Sequence, residues 1–226
     1  RYFTYQASIC SHGRNNTIGC NKCIDVCSTQ AITSILAGGK GRVEVNPNLC
    51  MGCGACSTVC PSGAMRYNYP SADYQSRALR TLVSTATDAG LKEPEILLHS
   101  TDDSVGGTAL INRLGQLAAG GRAKGLPARV MPFALHHAAS VGPELWLAAL
   151  AYGAARVTVL LSGEEASTYR DALNEQVTWV RGVIEALGGE PDRVSIIQAH
   201  SPEALDVALQ SAVARLPLVT TRATFS

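Results

Sequence analysis

The sequence predicts two domains of different class: a small α+β unit over residues 1–70, built twice around cysteines, and an α/β domain with a parallel sheet over residues 74–226. Three observations predict this. All eight cysteines fall within the first 60 positions. Cys20, Cys23 and Cys27 recur at one constant offset as Cys53, Cys56 and Cys60, which is an internal duplication. After YNYPSADYQ (67–75), strand-like apolar runs alternate with helix-like amphipathic ones.

The stretch CMGCGACSTVCP (50–61) sets the chemistry of the first domain. A disulfide framework suits short secreted chains, whereas this one has 226 residues and no cysteine after Cys60. Structural zinc takes two ligand pairs held apart by a long loop, because four ligands must close a tetrahedron around one small ion. Here three cysteines share a tight turn and the fourth follows four residues on. An iron–sulfur cube is bulky, so a seven-residue loop wraps it with three thiolates, and a fourth thiolate ahead of proline points towards a second cube. The spacing favours the cube over zinc, and zinc over disulfides.

The other four cysteines read as a second copy. The tails match, CSTQAI (27–32) against CPSGAM (60–65). Cys10 and Cys50 break the shared offset, because the first copy carries seven extra residues, among them His12 and Arg14, between its first two ligands. On these residues and the link EVNPNLC (44–50), the segment 1–70 resembles the two-cluster bacterial ferredoxin module. The resemblance implies a ferredoxin-like fold with two [4Fe-4S] clusters ligated crosswise. Cys10, Cys20 and Cys23 hold one, completed by Cys60; Cys50, Cys53 and Cys56 hold the other, completed by Cys27. Ser28 stands where the pattern has proline, and Cys10 is remote from its partners. That leaves open a three-iron form, or His12 as a substitute ligand against its plain reading as a solvated or hydrogen-bonded loop residue. Ile9, Ile18, Ile24, Val26, Ile32, Val59 and Met65 are placed to keep water from the clusters.

Composition excludes several classes. The net charge is +1, so nothing points to nucleic acid, and no apolar run reaches the roughly 18 residues a membrane span needs. Residues 1–70 carry six Lys and Arg against two Asp and Glu. Each oxidised cluster with four thiolates adds about −2, so the loaded domain is near neutral, as suits a module fixed to partners. Eight thiols and iron imply a reducing compartment, most simply the cytoplasm.

The second domain begins with a helix over 76–89, then the strand EILLHS (95–100) and a helix over 108–118. ARVMPFAL (128–135) is a strand, followed by a helix over 143–152 that opens on proline. ARVTVLLS (155–162) is the clearest strand, and a long helix over 168–187 stops at Gly188 and Gly189. RVSIIQAH (193–200) is the fourth strand. The last helix, 201–216, starts on Ser201, Pro202 and Glu203, a cap residue ahead of proline and an acid in the first turn. PLVTT (217–221) is a candidate fifth strand. Strands each followed by a helix indicate a flavodoxin- or Rossmann-like parallel sheet covered on both faces. This core contains no cysteine and is expected to fold without iron.

Ligands of open α/β sheets bind beyond the carboxyl ends of the strands. His99, His136, His137 and His200 fall there, joined by Asp102 and Asp103. They are a candidate metal or small-ligand site, against the plain reading of polar loops. The turns lack a dinucleotide or phosphate-loop glycine pattern. Carboxylates such as Glu164 and Glu165 stand where helix amides would meet an anion, so no flavin or nucleotide is expected. Leu145, Trp146 and Leu147 form an apolar run that suggests a docking surface with Trp179, although each Trp also reads as core.

A two-cluster module ahead of an α/β domain, with GCNKCIDVCSTQAI (19–32) and VGPELWLAALAYGAARVTVLL (141–161), resembles bacterial multi-cluster iron–sulfur proteins. These look related to the delta subunit of methyl-viologen-reducing hydrogenase and occur alongside formate dehydrogenase. Such proteins run on into further cluster repeats, so this chain, starting at Arg1, is expected to be part of a longer one. The resemblance implies an electron-transfer protein with redox partners, formate dehydrogenase among the candidates, and no catalysis of its own. A redox enzyme binding flavin or nucleotide and a docking scaffold with structural clusters are the alternatives.

Overall fold

In the computed structural model, which describes residues 2–13, 19–38, 40–101, 106–163 and 165–213, the duplication is visible as geometry. Strand β1 (Phe3–Tyr5) leads through a 3-10 turn to Cys10. The single turn α1 (Lys22–Asp25) carries Cys23 and is followed by an antiparallel hairpin, β2 (Ile32–Ala37) and β3 (Lys40–Val45). The turn α2 (Ala55–Thr58), the counterpart of α1 in the second copy, carries Cys56, and β4 (Met65–Tyr67) returns to pair antiparallel with β1. Ile32 and Met65 are equivalent positions, so each copy is a cysteine loop, a helical turn and a strand. The hairpin is an addition to the expected elements. Only β3 alternates cleanly, with Arg42 and Glu44 alternating with Val43 and Val45, which is too short a run to read as a strand from sequence.

The second half starts at α3 (Ala72–Asp88), four residues before the expected 76, because Ser71 caps it by accepting from the Tyr74 N–H at 3.3 Å. There follow β5 (Glu95–Ser100), α4 (Gly107–Ala119), β6 (Val130–Leu135), α5 (Pro143–Ala151) and β7 (Arg156–Leu161). Helix α6 (Ser167–Ala186), β8 (Val194–Gln198) and α7 (Pro202–Val213) complete the described chain. The four strands form one parallel sheet in the order β6-β5-β7-β8. Central β5 and β7 are buried along their whole length, which is why their sequences are continuous apolar runs. Pro132 sits on β6, an edge strand, where a missing amide is tolerated. The candidate strand 217–221 lies outside the described residues.

Side-chain alternation divides the core between the two faces. Ile96, Leu98, Val157 and Val159 pack with α3, α5 and α6, while Leu97 and Leu160 pack with α4 and α7. The structure corrects the expectation that the run at 145–147 serves as a docking surface. Leu145 and Trp146 are buried and Leu147 packs on the same core. Helix α5 is apolar nearly all round because it is enclosed by α3, α6 and β7. At the amino end of the sheet, buried Glu95 accepts from Arg156 and pairs with Arg129, both at 3.0 Å, pinning three strands together. No described helix is long and apolar enough to cross a membrane.

Candidate metal centre

Cys50, Cys53 and Cys56 come together with Cys27, from the other copy, around one cavity. The local chain explains how. Gly52 and Gly54 have φ of +73° and +82°, left-handed conformations that turn the loop tightly on both sides of Cys53. A Cβ on Gly52 would stand 2.5 Å from the Tyr2 ring, so only glycine admits that wall. Cys27 arrives from the end of α1, whose N–H groups close on Asn21 and Lys22. The remaining walls include Val26, Ile32, Val45 and Met51, and among the described residues no charged side chain lines the cavity.

Around Cys23 the neighbouring thiols include Cys60, Cys10 and Cys20. Cys10 and Cys23 are buried with Ile32, Val43, Ala64 and Met65, and Cys60 packs against them. Of the other residues expected to exclude water, Ile9 and Ile24 pack here and Val26 and Val59 near Cys53. Ile18 lies outside the described residues.

His12 is not placed as a ligand. Its ring is wholly buried, and both nitrogens are engaged. The Cys20 carbonyl can only accept, so Nδ1–H donates to it at 3.0 Å, and the Ser34 hydroxyl meets Nε2 at 2.7 Å. The ring also lies over Gly41, where an added Cβ would be 3.3 Å from Cδ2. His12 therefore struts the first cysteine loop against the hairpin.

Burial, and after it the neighbouring thiols, raise the pKa of Cys23, Cys53 and Cys56. Burial pushes Cys23 up to about 11, helped by Cys60, Cys10 and Cys20. Burial also raises Cys56, with added repulsion from Cys53, Cys23, Cys50 and Cys27, so the two groups adjoin through the equivalent pair Cys23 and Cys56. Tyr5, beside Cys10, is pushed up to about 12 by burial and that thiol. Cys60 differs. Burial raises it, but hydrogen bonds from Met65, Ser62 and Ala64 together hold it below the ordinary thiol value. Thiols raised in this way hold their protons until a cation displaces them.

Among the described residues, no three His, Cys, Asp or Glu side chains close on a single-ion position, the arrangement mononuclear zinc needs. Four thiols in an uncharged, apolar-walled cavity fit a [4Fe-4S] cluster, which takes thiolates at its corners and a dry surround.

The second half docks directly on this centre. Val26 and Ala55 are buried together with Ala139 and Tyr169, and Cys53 and Cys56 pack against them. The missing Cβ of Gly54 would lie 2.7 Å from Ser140, so the cysteine loop meets the segment after β6 backbone to backbone. Thr58 Oγ1 donates to the Ala139 carbonyl at 3.5 Å, and Tyr169 hydrogen-bonds Ser28.

The four strand-end histidines do not converge. His136 stacks on Tyr2 at 5.6 Å and meets Tyr69 edge-on. His137 accepts from the Ala139 N–H at 3.0 Å and faces Tyr169. His99 is buried beside α4, with Nδ1 donating to the Ser100 carbonyl at 3.2 Å. His200 covers Gly163. Asp102, Asp103 and Glu164 lie outside the described residues. Glu165 turns its carboxylate onto its own loop, accepting from the Ser162 and Gly163 N–H groups at 3.3 and 3.0 Å. Trp179 is 58% exposed, not core, and borders an open groove that Cys60 and Pro61 also line. Tyr169 was absent from the expected site residues; its place in the buried stripe of α6 marks it only as core.

No curated protein sequence matches the chain. Residues 18–64, which hold seven of the eight cysteines, match the family model described as a 4Fe-4S dicluster domain. The chain therefore contains a ferredoxin-type 4Fe-4S domain, joined to a four-stranded parallel sheet flanked by helices.

Proposed function

We propose that this chain is an electron-transfer iron–sulfur protein with two [4Fe-4S] clusters, one held by Cys10, Cys20, Cys23 and Cys60, the other by Cys50, Cys53, Cys56 and Cys27. It relays single electrons between a dehydrogenase and an acceptor in a reducing compartment, taken as the cytoplasm. The observation that carries this reading is the cavity in which Cys27 joins Cys50, Cys53 and Cys56 from the other copy.

When bound, each cluster supplies reversible one-electron storage. The chain's residues do the rest. The cysteines give up their protons and bind iron. Val26, Ile32 and Met51 exclude water. Thr29 and Ser62 place hydroxyls 3.6 and 3.7 Å from Cys27 and Cys60, equivalent polar contacts in the two copies. The groove beside Cys60, with exposed Trp179, Asp171 and Glu175, offers a partner close access to a ligand.

Anaerobic reconstitution tests the reading. Roughly eight irons and eight sulfides per chain, with reversible one-electron reduction followed by paramagnetic resonance, are expected. One equivalent of flavin or nucleotide released by acid would replace this reading with the enzyme alternative.

A further inference from the structure

Helix α6 carries two stripes. One, from Tyr169 to Ile184, is buried in the core. The other, Asp171, Glu175 and Trp179 at four-residue steps, is exposed and lines a groove of about 650 Å³. The cysteine-bearing half completes the lining, with Lys22 and Asp25 on α1 and Cys60 after α2. The groove's chemistry is unbalanced within the chain. Asp171 and Glu175 are like charges one helical turn apart, a spacing that destabilises a helix. On α3 the same spacing pairs Asp73 with Arg77 at 2.9 Å. Among the described residues, Asp25, Asp171 and Glu175 make no ion pair, and Lys22 is the one cation in the lining. Trp179, exposed on the same stripe, is of the residue type enriched where proteins meet.

We propose that this groove is the port through which the cluster of Cys60 exchanges electrons with a partner protein whose docking face is basic. The proposal rests on the electron-transfer reading above and on its ligand set Cys10, Cys20, Cys23 and Cys60. Three carboxylates face one lysine, and the loaded cluster behind Cys60 adds about −2, so the groove presents a negative potential. Its complement is a ring of lysines and arginines around the partner's own cofactor, which acts chiefly on the rate of encounter. Trp179 supplies the contact that follows encounter, its ring taking an apolar side chain or stacking on an arginine. Because the lining comes from both halves, α6 holds the partner while the electron crosses at Cys60. One electron passes from the reduced cofactor to the oxidised one, and no bond forms or breaks.

The test is the rate at which the reconstituted, reduced chain reduces a lysine-rich ferric cytochrome c, followed by stopped-flow absorbance. Asp171→Asn combined with Glu175→Gln keeps the shape of the groove and removes two charges. It is expected to slow the reaction about tenfold at low ionic strength. The gap should close near 1 M salt, where the screening length is about 3 Å. Trp179→Ala should slow the reaction at both salts. Glu185→Gln combined with Glu190→Gln removes the same charge at exposed positions outside the groove and should leave the rate unchanged. Ferric EDTA, a small anion, should be reduced no more slowly by any of these variants. A groove charge variant as fast as wild type, a control pair that slows as much, or equal slowing towards ferric EDTA overturns the proposal. So does a dimer in sedimentation that Trp179→Ala abolishes, which would give the groove to a second copy. A wild-type chain that takes up no reducible cluster overturns the electron-transfer reading, and the proposal falls with it. Reducible clusters without a groove effect overturn the proposal alone.

Discussion

Replacing His12 by alanine is expected to empty one cluster site and spare the other. The ring is wholly buried and joins the Cys20 carbonyl to the Ser34 hydroxyl. Its removal leaves the Cys20 carbonyl without its donor, at roughly 1–3 kcal/mol if it stays dry, while the exposed Ser34 hydroxyl can turn to water, and the cavity cost comes on top. The first half has little to absorb this, since the buried cluster around Cys10 and Cys23 counts only six of the described residues, two of them cysteines. The local loop around Cys10 and Cys20 should therefore open while the loop at Cys50 to Cys56 keeps its glycine-built geometry. Iron should fall from roughly eight to roughly four per chain, and the resonance lost should be the one that Cys10→Ala also loses. His12→Asn, which keeps a donor near the Nδ1 position, should restore part of the iron. A ligand role would not be rescued that way. The reasoning is refuted if His12→Ala keeps all its iron at an unchanged melting temperature, or if the signal lost is that of the Cys50 site.

Two further outcomes are expected. Cys60→Ala should abolish the same resonance as Cys10→Ala, and Cys27→Ala the same one as Cys50→Ala; a Cys60→Ala spectrum matching Cys50→Ala would show that ligands are not shared crosswise. Stability should decline as pH falls through about 6.5. Burial holds His137 below that ordinary value, although Glu165 raises it, and burial likewise lowers His99, so the unfolded chain takes up protons first. Melting by far-ultraviolet dichroism should show this acid-side loss, and His137→Asn, which keeps an acceptor for the Ala139 N–H, should flatten it. A variant curve parallel to wild type would assign the loss elsewhere.

What could be read from sequence was whatever a short range of chain determines. Three cysteines within seven residues constrain their own geometry, so the candidate ligands were legible from spacing alone. Strands β5 and β7 were legible because burial on both faces forces an unbroken apolar run. The hairpin was not, since β2 mixes its faces: Ile32 is buried, Leu36 is 62% exposed and Ile35 lies between. The role of His12 depends on Ser34, in the hairpin, and that of Tyr169 on Ser28, in the other half of the chain. In α6 the spacing Tyr169, Leu173, Val177, Val180, Ile184 is an ordinary core stripe, and nothing in it distinguishes the hydroxyl that bonds Ser28.

The sheet order places β5 between β6 and β7, so the chain reverses direction across the sheet at the β5–β7 boundary, the crevice where open α/β domains bind their ligands. Two of the described loops at the carboxyl edge make contacts of their own. The one after β7 folds the Glu165 carboxylate over its own amides, and the one after β6 carries Ala139 and Ser140 against the second cysteine loop. Part of the sheet's carboxyl edge thus meets the other half of the chain. A half that served only as a tether would have no reason to send a phenol into the cysteine cavity. Burying that hydroxyl costs free energy unless it is hydrogen-bonded, and its partner is Ser28, from the cysteine-bearing half. The sheet therefore meets the cysteine-bearing half through its carboxyl edge, where the segment after β6 and the start of α6 pack on the second cysteine loop.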